Sequence, residues 1–75
     1  MVDSSVLKNI LNLIHEEEDR ILNYMEHNHI YPFRKIEEDL YSAYYFKYNR
    51  NLRISEQYIL NKILYSFYLN LKMPI

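Results

Sequence analysis

A chain of 75 residues and 9.3 kDa has room for one small domain. With no Cys and no Gly, it excludes a disulfide scaffold, a thiolate zinc site, a cysteine nucleophile and the glycine-built phosphate loops. Hydrophobic residues at 49% and charged residues at 25% place it among globular rather than disordered chains, and the formal net charge is only −1.

From the N-terminus, Leu7, Ile10, Leu11, Ile14, Ile21, Leu22 and Met25 keep helical spacing and predict one helix over residues 4–27. One polar turn, Glu16-Glu17-Glu18-Asp19, crosses it. Asp3 is the expected N-cap, with Val2 and Leu7 placed to pack as a hydrophobic staple. Arg20 follows Glu16 by four residues, the favourable order for an ion pair on the outer face. Asn28 is suited to the left-handed stop.

Pro32 opens a second helix over 32–48, where its missing N–H costs nothing. Phe33, Ile36, Leu40, Tyr44 and Tyr48 form its inward stripe with Tyr41 alongside, and Glu37, Glu38 and Asp39 suit its N-terminal end. Asn49 or Asn51 is the expected left-handed stop. Ser55 is the expected N-cap of a third helix over 56–72, with Ile54 and Ile59 as its staple. Ile59, Leu60, Ile63, Leu64, Phe67 and Leu71 form the stripe, and Pro74 ends the segment.

No strand alternation or internal repeat appears. The expectation is therefore an all-α protein: a single domain, 1–75, built as a three-helix bundle whose last two helices form an antiparallel hairpin. A core of this size is marginal, so a second copy would help, and a homodimer is expected. The longest uncharged run near the C-terminus, Ile63 to Leu71, is far short of the ~18 residues a spanning helix needs. The first residues lack the basic and apolar runs of a signal peptide, so the expected location is the cytoplasm. The plentiful Asn, Ile, Leu and Tyr, against a single Ala at position 43, suit an AT-rich bacterial, phage or plasmid genome.

Charge divides along the chain. Residues 1–40 carry four basic residues against nine acids, a balance of −5; residues 41–75 carry five against Glu56 alone, a balance of +4. The two halves are able to complement each other within the fold or between copies, or the basic half is able to meet an acidic partner.

Nine of the twelve aromatic residues are Tyr, more than a core this small can hold centrally. Tyr presents a large rigid area with a polar tip, which is why interfaces are enriched in it. The sequence thus points to a non-catalytic protein–protein interaction module, a regulator or inhibitor that binds a partner protein, itself, or both. Its candidate contact residues are Tyr41, Tyr45, Tyr48, Arg50, Arg53, Tyr58, Lys62 and Tyr65.

The alternative is a helix-turn-helix DNA-binding regulator. In that arrangement Arg50, Arg53 and Lys62 meet phosphates, while Glu56, Gln57, Asn61 and Lys62 face the groove. A metal site would draw on Glu26 and His29, or on His15 and Asp19, but nothing in the sequence aims further carboxylates at either pair. The serines lack a nucleophile context, Ser55 being explained as a cap, so no catalytic residue, cofactor, metal or small-molecule substrate is expected.

Overall fold

A computed structural model describes residues 3–27 and 34–72, with side chains as far as Asn70. Asp3 begins the fold in the extended backbone of an N-cap, its carboxylate accepting the Ser5 N–H at 2.9 Å and the Ser5 hydroxyl at 3.0 Å. These two bonds hold the Asp3 carboxyl below the ordinary aspartate range. Helix α1 then runs Ser4–Glu16, α2 Glu18–His27, α3 Arg34–Tyr48 and α4 Ile54–Lys72. Among the described residues there are four helices and no strand, so the chain is all-helical.

The expected first helix is two. At Glu17 the backbone turns to φ −100° and ψ 12°; its N–H still donates to Leu13, and its carbonyl accepts from Ile21. Glu17 thus closes α1 and opens α2. The physical reason is electrostatic: Glu18 and Asp19 sit in the first turn of α2, where the exposed N–H groups favour negative charge. Arg20 does not pair with Glu16 as its spacing suggests. It reaches Glu17 at 3.3 Å and Asp39 of α3 at 3.4 Å, while Glu16 pairs with Lys47 of α3. His27, in the last turn of α2, donates from Nδ1 to the Asn23 carbonyl at 2.8 Å.

The core comprises Val6, Ile10, Leu13 and Ile14 of α1, Ile21 and Met25 of α2, Ile36, Leu40 and Tyr44 of α3, Leu60 and Leu64 of α4, and Leu52 before it. The buried stripe of α1 is rotated from the expected one. Val6 and Leu13 point inward, whereas Leu7 and Leu11 are exposed. Both choices satisfy helical spacing, and only the packing against the other helices separates them. The backbones of α1 and α3, α1 and α4, and α2 and α4 come within 8 Å of each other. The expected positions Val2, Asn28, Pro32, Phe33 and Pro74, and the Leu71 side chain, lie outside the described residues. No described helix is long and apolar enough to cross a membrane.

Asn49 ends α3 at φ 58°, with its N–H on the Tyr45 carbonyl at 2.8 Å. A β-branched residue cannot occupy this left-handed conformation without steric cost. Asn49→Val should therefore lower stability by about 1–2 kcal/mol in urea denaturation, while Asn49→Gly retains it. Equal stability of the two variants would contradict the left-handed stop.

Candidate functional site

The chain leaves α3 at Asn49 and enters α4 through a knot around Glu56. Glu56 is 4% exposed in a protein otherwise buried almost wholly by apolar side chains. Its carboxylate accepts the Arg53 backbone N–H at 2.8 Å and Nη2 of Arg50 at 3.2 Å. The Gln57 N–H donates to the Arg53 carbonyl at 2.8 Å, the first bond of α4. Arg53 is therefore the N-cap and Glu56 the N3 residue reaching back to it, one arm of a capping box. This corrects the expected start at Ser55: α4 begins two residues earlier, because a glutamate three positions on satisfies the cap amide. Ile54 is consequently 85% exposed, with no staple to Ile59, and Gln57 donates from Nε2 to the Leu52 carbonyl at 3.2 Å.

Burial alone raises the Glu56 carboxyl. The Arg53 N–H and the Arg50 guanidinium outweigh it and hold the net value below the ordinary glutamate range. Glu56, with Tyr44 as a second contributor, raises Arg50 in turn. Nη1 of Arg50 is buried and makes no hydrogen bond. Tyr44 is fully buried, its ring 4.7 Å from that of Tyr48; its hydroxyl is 3.5 Å from Nδ2 of Asn9, and the Tyr48 hydroxyl donates to the Asn9 carbonyl at 3.5 Å.

A second group of tyrosines forms a face across α3 and α4. Tyr41 donates its hydroxyl to Oδ1 of Asn61 at 2.9 Å, joining the two helices. Burial raises the Tyr41 hydroxyl pKa, against the Asn61 bond, and Glu37 one turn away adds to the rise. On the α3 side of this bond lies a cleft of about 420 Å³ lined by Tyr41, Ser42, Tyr45, Phe46 and Asn51. On the α4 side lies one of about 450 Å³ lined by Tyr58, Asn61, Lys62 and Tyr65. The Lys62 ammonium stands over the Tyr58 ring at 5.1 Å from its centroid. Phe46, 84% exposed and edge-on to Tyr45 at 5.8 Å, also walls a cleft of about 500 Å³ between α1 and α3.

The candidate contact residues thus fall into two places. Tyr41, Tyr45, Tyr58, Lys62 and Tyr65 share the joined face. Tyr48 and Arg50 belong to the knot under the loop, where Tyr48 packs on Tyr44 and Arg50 holds Glu56. Arg53 is exposed at the start of α4. Sequence reasoning passed over Phe46 and assigned Ile54 to a staple; these are the two most exposed large apolar side chains of the described residues. Phe46 was recoverable: two residues beyond the inward Tyr44, it lies about 200° around the helix.

Compared with known proteins, the chain matches no family, no curated protein and no solved structure. The residues alone carry the functional argument. Among the described residues no three His, Asp or Glu side chains converge in a metal-binding group. His29, one half of the Glu26–His29 pair, lies outside them.

Proposed function

We propose that this chain is a small, non-catalytic helical module that regulates or inhibits another protein by binding it, and that it acts as a homodimer. The observation that carries this reading is the Tyr41–Asn61 hydrogen bond, which makes one surface of two tyrosine-lined clefts. Rigid aromatic side chains with polar tips lose little entropy on contact, and a surface already tied together by a hydrogen bond loses less still.

The partner is gripped on the α3 cleft, where Tyr45 is 44% and Phe46 84% exposed. A photoactivatable residue in place of Tyr45 is expected to give a discrete adduct, heavier than a dimer of the chain, when irradiated in cells. The same residue in place of Asn12, exposed on α1, is the control. No adduct at Tyr45, or equal adducts at both positions, refutes the reading.

The DNA-binding alternative draws support from exposed Arg53 and Lys62. It is the weaker of the two. Arg50 is committed to Glu56, and Glu56 is buried. Gln57 and Asn61 also make bonds within the fold, which leaves Lys62 of the four residues expected in the groove.

A further inference from the structure

Helix α4 is apolar on two sides. Leu60 and Leu64 are buried in the core. Around the opposite side, Ile54, Tyr58, Tyr65 and Leu69 are 85%, 60%, 42% and 37% exposed. At 100° per residue these four positions fall within about 60° of one another, a single stripe about 22 Å long. A helix with apolar residues on opposite faces is normally covered on both.

The order of the stripe identifies what covers it. Ile54 and Leu69 are equally far from a centre between Asn61 and Lys62, as are Tyr58 and Tyr65. In two antiparallel helices related by a two-fold axis, residues equidistant from the axis on opposite sides face each other. Aliphatic then meets aliphatic, and tyrosine meets tyrosine. We infer that the outer face of α4 is a self-recognition surface that binds a second copy of the same helix, antiparallel, about a two-fold axis between Asn61 and Lys62.

The exposed area agrees with this occupant. Between Ile54 and Leu69, Lys62 is the single charge of the stripe and its rim. The two-fold axis runs across the pair, so both copies of Lys62 stand on one flank and both copies of Asn61 on the other, each ammonium at the rim over its own Tyr58 ring. Tyr58 and Tyr65 together expose about 200 Å² at ~200 Å² per aromatic side chain. With Ile54 and Leu69 the two copies bury on the order of 700 Å² of apolar surface. At an apolar share of ~57%, the whole interface is on the order of 1,200 Å², the lower edge of the stable range. The α3 clefts stay open, one on each side of the dimer.

The inference rests on the homodimer proposed above and gives it a geometry. It is tested by sedimentation, which does not read partner binding at Tyr45. The wild-type chain is expected to sediment at twice 9.3 kDa. Tyr58→Glu or Tyr65→Lys, both on exposed positions, should each weaken self-association about tenfold or more with the helical circular dichroism unchanged. Combining them puts opposite charges face to face across the axis and should recover self-association above either single variant.

A parallel pairing sets like charges together and makes the combination worse, which overturns the inference. So does a monomeric wild type, or single variants that associate as well as it does. The chain has no Cys, so oxidation supplies a second check. An equimolar mixture of Ile54→Cys and Leu69→Cys chains should cross-link, and Ile54→Cys alone should not. The reverse pattern overturns the antiparallel register.

Discussion

Tyr44→Ala is expected to remove most of the stability of this protein. The side chain is fully buried, and its ring packs at a tilt against Tyr48 at the meeting point of α1, α3 and the turn into α4. Removing a buried aromatic side chain costs about 3–5 kcal/mol, against about 4–11 kcal/mol for a whole chain of this length. The melting temperature should fall by roughly 20 °C. Tyr44→Phe keeps the ring and separates the two roles of the residue. It leaves the Asn9 amide and the Arg50 guanidinium without the hydroxyl and should cost about 1 kcal/mol. A thermal melt of the three proteins decides the matter: an alanine variant within 1 kcal/mol of the wild type would remove Tyr44 from the core.

Glu56→Gln is the second large effect, expected at about 2 kcal/mol. The amide keeps the shape of the side chain but loses the charge that Arg50 and the cap N–H require. The pH dependence follows from the same contacts. Because the folded-state pKa of Glu56 lies below that of an unfolded glutamate, the unfolded chain takes up the proton first as pH falls. The contribution of Glu56 is therefore complete at neutral pH and is lost as pH drops below the ordinary glutamate range, through its depressed folded value. Asp3 shifts in the same direction and remains in the variant. The difference between wild type and Glu56→Gln thus isolates Glu56, and the two stability curves should converge toward low pH. A constant gap between pH 7 and pH 3 would show that the carboxylate charge contributes nothing.

Much of the fold is legible in the sequence because helical spacing reports it directly. Ile10, Ile14, Ile21, Met25, Ile36, Leu40, Leu60 and Leu64 stand in the expected stripes and are buried. Periodicity failed where it carries no information. Ile14 and Ile21 are seven residues apart, close to two full turns, so a break at Glu17 preserves the stripe on both sides. The readable signal was the run from Glu16 to Asp19, whose charges suit a new helix N-terminus better than a helix interior. The start of α4 was misplaced for a related reason. A serine at position 55 attracts the N-cap assignment, whereas the reach of a glutamate back to the Arg53 amide is a matter of three-dimensional geometry.

The tyrosines divide in the same way. That some belong to the surface follows from their number; which ones do depends on rotations of 100° per residue. Tyr44 and Tyr45 are neighbours in sequence, one fully buried and the other 44% exposed. Phe46 entered neither the expected stripe nor the candidate contacts, although its place two residues beyond Tyr44 puts it on the outer face. The roles of Tyr48 and Arg50 depend on Asn9, Tyr44 and Glu56, contacts made across up to 39 residues of chain.

The break at Glu17 also bears on how the protein gains and loses structure. Helices of 13 and 10 residues are too short to persist alone in water, whereas the 19 residues of α4 approach self-sufficiency. The N-terminal arm therefore borrows its helicity from the surface it lies on. Because the backbones that α4 approaches most are those of α1 and α2, opening of that arm removes the surface α4 packs on, and the amides of the three helices are expected to exchange together.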